Sequence, residues 1–446
     1  MNADVTGMLK AVLRFNQDER LLRIKAPLDE NLLLVHRLYG VEEVSRPFDI
    51  TIELLSPDAN LELKSLVGQP VLLTIRTHVN TDRFLHGYVR EFARTGSDGG
   101  FAKYEAKISP WFYFLTFRTN CRIFQDLNII DIARRVFEEH GALAAARFDV
   151  VESRYLPMPY CVQYNESDFA FVSRLLEDAG IFYRFDHNNE GHTLVCSDDS
   201  TQCPAQPEDP NIRFHGDQGV IAEDVMDDWT GRRKVAESAQ SLKTFDFKQP
   251  TYPLFSQTSS LIPRGQLPIM EHYEYDGAAA FTNSGSGETR SAVRMEESAW
   301  PTKIYAGKGT SRLMQAGYYF QLDDHFEHQG EPPEDRQFFS IRVIHDARNN
   351  FIKNFTEVGD VHYRGEVTCV RRKIAYRPNR NPPPRMPGPQ TATVVGPPGE
   401  ELYADKFGRV KVQFHWDREG RSNEASSCYV RVASPWAGEG DRKSVV

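Results

Sequence analysis

Hydrophobic and polar positions alternate with a period of two near both ends of the chain and change to a helical period in its middle. Residues 71–79 (VLLTIRTHV) set Val71, Leu73, Ile75 and Thr77 against Leu72, Thr74 and Arg76. Both faces hold apolar residues, so this strand is predicted to be buried on one side and partly covered on the other. Asn80-Thr81-Asp82 supplies a turn and residues 83–94 a return strand, completing a hairpin. Residues 48–56 and 101–110 read as two further strands, ended by Pro57-Asp58 and by Pro110.

The period then lengthens. Asn128 caps a predicted helix in which Ile129, Ile132, Ala133 and Val136 recur at helical spacing, Asp131 favours the positive N-terminal end, and Gly141 closes the element. A second helix follows Ser167 as cap. It places Phe169, Val172, Leu175, Leu176 and Ala179 on one face and stops at Gly180. It feeds a hairpin made of residues 181–187, the turn Asn188-Asn189-Glu190-Gly191, and residues 192–196.

Further on, residues 242–247 read as a strand, 282–288 (TNSGSGE) as a loop and 291–299 as a helix. Residues 338–349 and 360–376 return to strand patterning. Residues 377–390 hold six prolines, too many for a helix or a central strand, and mark the best linker in the chain. Beyond it Val410, Val412, Phe414 and Trp416 alternate with Arg409, Lys411, Gln413 and His415, and Cys428, Val430 and Val432 share a face. A small antiparallel β domain is expected from Thr391.

Length and charge narrow the function. At ~150 residues per domain, 446 residues imply about three domains. Aromatics at 11% and apolar residues at 40% exclude wholesale disorder. A net charge of −9 disfavours a nucleic-acid binder. No stretch approaches the ~18 apolar residues of a membrane span, so no stable membrane insertion is expected. The N-terminus (MNADVTGMLKAVLRFNQDERLLR) carries acidic residues and lacks the long apolar run of a secretory signal, which points to the cytosol. Cys121, Cys161, Cys196, Cys203, Cys369 and Cys428 form no CxxC and read as reduced core thiols. The sequons at Asn165 and Asn354 are read as chance.

Candidate chemistry is sparse. AGKGTS (306–311) resembles a phosphate loop, but Thr302 stands where the first glycine belongs and Gly309 where Ser or Thr must follow the lysine. A flexible surface loop is the reading taken. In DDHFEH (323–328), His325 and His328 with Asp323 or Asp324 could hold a divalent metal. If the preceding strand pattern continues, the two histidines point to opposite faces, and solvated loop residues are preferred. Tyr273, Tyr275 and Asp276 could form a sugar platform, although alternating aromatics are more often core or interface. GxSxG and HExxH are absent from the sequence. The expectation is therefore no enzyme, no catalytic, cofactor or metal residues, and no cofactor.

Several stretches stand in a recognisable order: 45–75 (SRPFDITIELLSPDANLELKSLVGQPVLLTI), 122–141 (RIFQDLNIIDIARRVFEEHG), 160–185 (YCVQYNESDFAFVSRLLEDAGIFYRF), 271–277 (EHYEYDG), 403–420 (YADKFGRVKVQFHWDREG) and 426–440 (SSCYVRVASPWAGEG). Together they resemble VgrG, the trimeric spike of type VI secretion systems, itself similar to the tail hub and needle base of contractile-tailed phages. The resemblance implies a mainly β fold with α+β insertions. It places tail-hub-like β-barrel domains over 1–376, with helices near 128–140 and 167–179, a proline-rich linker over 377–390, and a partial OB-type barrel over 391–446. Two barrels per chain would give a pseudo-sixfold ring in a homotrimer seated on the hexameric tube protein Hcp, with baseplate components, effectors and adaptors as partners. The protein would be cytoplasmic before firing and secreted without a signal peptide. A prophage tail hub is the alternative within the fold, and a cell-wall hydrolase the alternative from another class. Family members add further OB strands and a β-helix needle after WAGEG, so a chain truncated within the OB-type domain is expected, with a weak trimer and an unstable 391–446 segment.

Overall fold

The computed structural model describes residues 16–433 and 444–445, apart from 19, 79–80, 99–100, 217–223, 253, 261–264, 279, 282, 350–361 and 401. The Asn354 sequon, most of the N-terminal segment and the 434–440 end of the last signature stretch lie outside these residues. The chain divides into two compact units, one of residues 1–111, 145–150 and 180–379, the other of residues 112–144, 151–179 and 380–446. This partition follows contacts in space and differs from a linear division at the proline-rich stretch.

The first unit opens with β1 (Leu22–Lys25), β2 (Leu34–Glu43), β3 (Asp49–Ser56), β4 (Pro70–Arg76), β5 (Asp82–Asp98) and β6 (Phe101–Ser109). They pair antiparallel in the order β1-β4-β5-β6-β3-β2. The expected hairpin is β4–β5, and Val71, Leu73 and Ile75 are buried as the alternation requires. Cross-strand rows such as Leu22–Ile75, Leu73–Leu85 and Ile52–Ala106 carry the apolar face from strand to strand.

The chain then passes to the second unit for β7 (Thr119–Phe124) and α1 (Ile129–Glu138), returns for β8 (Ala146–Asp149), and leaves again for β9 (Cys161–Ser167) and α2 (Asp168–Asp178). Both predicted caps are made: Asn128 accepts from the Asp131 N–H and Ser167 from the Ala170 N–H. The buried face of α2 is Phe171, Val172, Leu175 and Leu176, whereas Phe169 is half-buried. The expected face is thus shifted by two residues at its start, where Asp168 turns inward instead.

Back in the first unit, β10 (Phe182–His187) and β11 (His192–Ser197) form the predicted hairpin, with β8 parallel to β11. Next come β12 (Asn211–Phe214) and β13 (Val225–Arg233), then a three-stranded sheet of β14 (Ala239–Phe245), β15 (Leu254–Ser259) and β16 (Glu271–Ala278) in the order β15-β14-β16. Its inner face packs on α3 (Ser284–Ala299). This helix starts earlier than expected. Asn283 and Ser286 cap each other's backbone, a reciprocal box that draws the Ser/Gly stretch into the first turn.

A second barrel uses β12, β13, β17 (Lys303–Gly309), β18 (Tyr319–Asp323), β19 (Gln337–Arg348) and β20 (His362–Arg371) in the order β19-β18-β12-β13-β17-β20. Strand β20 pairs back onto β19 and closes six strands. Its core is aromatic, with Trp229, Tyr305, Phe320, Phe338 and Phe339 all buried. The strand expected over 360–376 leaves the ladder at Arg371, although Tyr376 still packs in this core.

Strand β19 also pairs with β2, so a continuous ladder joins the two barrels. The first barrel lacks a backbone ladder between β1 and β2 among the described residues. Its seam is joined by the buried Asn349 side chain. Nδ2 donates to the carbonyls of Leu22 (2.8 Å) and Val35 (2.7 Å), and Oδ1 accepts from the Leu22 N–H at 2.9 Å.

In the second unit Phe124 stacks on Phe171 (5.4 Å) and Phe112 meets Phe137 and Phe169 edge-on. The C-terminal segment contributes β21 (Ala392–Val395) and β22 (Lys411–Phe414), which pair antiparallel, and the short pair β23 (Val432–Ala433) and β24 (Ser444–Val445). The apolar face of 409–416 is partly covered. Val412 is buried, while Phe414 and Trp416 are half-buried and stack on each other. Trp416 meets Tyr164 of β9 at 5.4 Å, and its Nε1 donates to Gln390.

Candidate functional site

The first unit hides a set of charges where its two barrels join. Glu42 on β2, Arg83 on β5 and His345 on β19 are all buried. Arg83 Nη2 donates to both Glu42 oxygens at 2.9 and 2.8 Å, and His345 Nε2 lies 3.5 Å from Glu42. His345 Nδ1 contacts the Tyr363 hydroxyl at 2.7 Å. Burial opposes the charge on Glu42, but Arg83 and His345 outweigh it and hold the carboxyl far below the ordinary range. Arg83 sits directly across from Ile75, on the apolar row of the sheet. Such a pair specifies an arrangement of strands more than it adds stability, because desolvation offsets much of the attraction.

The second unit has its own buried charges. Arg122 on β7 and Asp168 at the start of α2 are fully buried and lie 3.3 Å apart. Arg122 Nη1 also donates to Glu139 at 2.7 Å, its Nε donates to Gln163 at 2.8 Å, and Gln163 Nε2 donates on to Asp168 at 2.8 Å. Glu419 from the C-terminal segment stands 3.6 Å from Arg122, and Asn381 donates both its backbone and side-chain N–H groups to Glu177. The network ties β7, β9, both helices and the C-terminal segment into one body. Sequence reasoning missed it; the available signal was an arginine set between Cys121 and Ile123 in an otherwise strand-like run.

The motifs singled out in the sequence resolve differently from one another. AGKGTS is largely strand β17, not a loop: a Cβ on Gly309 would lie 2.0 Å from the Val225 carbonyl, and one on Gly307 2.7 Å from Trp229. Its glycines serve close strand packing, and Lys308 pairs with Glu366 at 2.9 Å. Tyr273 and Tyr275 share the outward face of β16 and are 54% and 58% exposed, whereas Asp276 turns inward to pair with Arg290. The three do not converge. Exposed Phe255 lies in register with Lys243 and Tyr275, extending that aromatic face.

DDHFEH departs from its strand reading. Strand β18 ends at Asp323, Asp324 takes a left-handed conformation (φ 65°), and the histidines sit in the following turn. His325, Glu327 and His328 therefore bring ligand atoms within 4.8 Å of one another. Both rings are buried, and burial pushes both imidazoles below their usual range. Their lone pairs are engaged: His328 Nε2 accepts from Trp229 Nε1 at 3.2 Å, and His325 Nδ1 from the Glu327 N–H at 3.3 Å. A metal ion would have to displace one or both of these bonds.

All six cysteines are free thiols; four are buried, and Cys121 and Cys428 are half-buried. Burial pushes Cys161 up to about 11 and Cys203 up to about 12, which suppresses thiolate chemistry. Among the described residues no helix is long and apolar enough to cross a membrane.

Comparison with known proteins agrees with this architecture. The phage tail baseplate hub (GPD) family profile matches residues 41–351. The type VI secretion system spike protein VgrG1b of Pseudomonas aeruginosa is 35% identical over 95% of this chain, which spans 56% of that protein. VgrG3 of Vibrio cholerae is 29% identical over 92% of this chain, which spans 40% of it. The chain thus spans about half the length of these relatives. Among solved structures, the E. coli c3393 protein, a type VI component described as similar to the bacteriophage T4 tail proteins gp27 and gp5, superposes with a TM-score of 0.65 at 19% identity, covering 95% of this chain and 99% of that one. A prophage MuSo2 tail protein from Shewanella oneidensis gives 0.54 at 12% identity over 80% of this chain and all of its own. The chain belongs to the phage tail baseplate hub family, and its sequence is similar to the type VI secretion spike proteins.

Proposed function

We propose that this chain is the hub and base of a type VI secretion spike. The observation that carries the reading is the pair of six-stranded barrels joined through β2 and β19, within a sequence similar to spike proteins over 95% of the chain. Two barrels per chain suit a homotrimer with six barrels around its axis, which matches a hexameric Hcp tube end on. Residues 391–446 are assigned to an OB-type domain. Baseplate components, effectors and adaptors are the further partners, and export through the apparatus from the cytoplasm is the route. The role is structural, without catalysis or cofactor. A prophage tail hub is the second reading, favoured by the likeness to prophage tail proteins.

The mass of the purified chain by light scattering tests the assembly. A concentration-dependent monomer–trimer equilibrium is expected, and a stable dimer at all concentrations overturns the hub reading. Mixing the chain with Hcp rings, and separately with a phage tail-tube protein, separates the two readings by which tube it binds.

A further inference from the structure

The β10–β11 hairpin is fastened to β5 by three histidines whose lone pairs are all engaged. His192 Nε2 accepts from the Trp111 backbone N–H at 3.1 Å. A backbone amide can only donate, so the proton of His192 sits on Nδ1 and points at His86 Nδ1, 2.9 Å away. The backbone N–H of His86 in turn donates to His187 Nδ1 at 3.1 Å. Each ring is thereby fixed as a neutral tautomer, and a second proton on any of them would set N–H against N–H. The rings lie close, with 5.1 Å between the centroids of His86 and His192 and 5.8 Å between those of His187 and His192. Phe48 and Phe185 wall them with apolar edges.

We propose that His86, His187 and His192 form a proton-operated fastening, closed when all three are neutral and opened by protonation, which releases the β10–β11 hairpin from β5 while the β19–β20 ladder holds. The charged and titratable groups around the trio are Glu42 from β2, Arg83 and Tyr88 from β5, and Asp186 from β10. Arg83 and the neighbouring histidines oppose a positive charge. Glu42 and Asp186 favour one, but Glu42 is engaged by Arg83, and Asp186 by Arg184 and the Tyr318 hydroxyl. Burial is the leading cause for all three and lowers every imidazole, that of His187 to about 4. Against an ordinary imidazole near 6.5, His187 alone shifts the balance between closed and open on the order of 100-fold from pH 7 to pH 4.

Hydrogen exchange of the whole chain at pH 7 and pH 4.5, corrected for intrinsic rates, tests this. Protection of residues 182–197 is expected to fall at least about 10-fold, while β19 and β20 keep theirs within about threefold. In the His187→Asn/His192→Gln variant, amide oxygens replace the accepting nitrogens without titrating, and the pH dependence of 182–197 should flatten. His187→Asn alone, measured the same way, should flatten it in part. Equal loss in the hairpin and in β19–β20, no loss in either, or variants that keep the wild-type pH profile would each overturn the proposal.

Discussion

The two barrels of the first unit have six strands each and join where β2 pairs with β19, yet they close by different chemistry. The β12–β20 barrel is closed by backbone: β19 and β20 pair from Phe338–Arg371 to Arg348–His362, around a core of large aromatics. The β1–β6 barrel is closed by a side chain, Asn349, and carries the buried Glu42–Arg83 pair among its apolar rows. A continuous ladder spreads closure over many equivalent bonds. A single amide and a single ion pair concentrate it at a few atoms, which specifies register but makes each group costly to remove without its partner. The β1–β6 barrel should therefore be the one that point changes and acid break.

The largest effect is expected at Glu42. Glu42→Ala leaves the Arg83 guanidinium buried without its counter-ion and should cost about 3–5 kcal/mol in urea unfolding. Glu42→Leu with Arg83→Met removes both charges and should recover most of that loss. If the single change costs under about 1 kcal/mol, water reaches Arg83 and the two barrels differ little in their sensitivity to such changes.

Acid should act on the same barrel next. His86, His187 and His192 are held neutral in the fold, so the unfolded chain binds more protons and stability falls as pH drops from about 6.5 towards 4. The His187 shift to about 4 corresponds to at most roughly 3 kcal/mol across that window. Glu42, held below its usual range, adds a further loss that begins as pH falls through the ordinary carboxylate range near 4.5 and continues below it. Urea midpoints at pH 7, 5.5 and 4.5 should fall in that order, and a flat profile would contradict the assigned neutral histidines.

Asn349→Ala follows in size. It strips partners from the Leu22 N–H and from the Leu22 and Val35 carbonyls, at about 1–3 kcal/mol for a group left dry and less where water enters the seam. A total of about 2–3 kcal/mol is expected, with hydrogen exchange at β1 rising before that at β20. Uniform exchange across both barrels would mean that they open as one unit.

Much of this architecture was legible in the chain, and the limits have physical causes. Alternation in 48–56, 71–79 and 101–110 gave three strands of the β1–β6 barrel, and the caps Asn128 and Ser167 gave two helix starts, because these signals are local. Barrel closure is not local. Asn349 reaches a residue 327 positions away, and no pattern around it marks that role. The buried charges were also silent, since Arg83 and Arg122 look like ordinary strand charges until the sheet is assembled. Glycines misled in both directions: those of β17 suggested a loop where they serve close packing, and those of 284–287 hid a helix start.

The smallest effect is expected at the turn after β18, and it sharpens the view of the β12–β20 barrel as self-sufficient. His325 and His328 lie near each other with Glu327, a grouping that could suit zinc by composition. Their accepting nitrogens, however, already serve Trp229 Nε1–H and the Glu327 N–H. His328 Nδ1 faces Glu331 at 3.1 Å, and Glu331 is itself gripped by both Arg371 Nη groups at 2.7 Å. A bound ion would have to displace these partners from a buried position. EDTA and added zinc should therefore leave the melting temperature unchanged. His328→Gln, which can keep an acceptor for Trp229, should cost less than His328→Leu, which leaves a buried indole N–H unpaired at about 1–3 kcal/mol. A zinc-induced rise in melting temperature that EDTA reverses, and that His328→Gln abolishes, would instead make this turn a metal site and the barrel dependent on an ion as well as on its ladder.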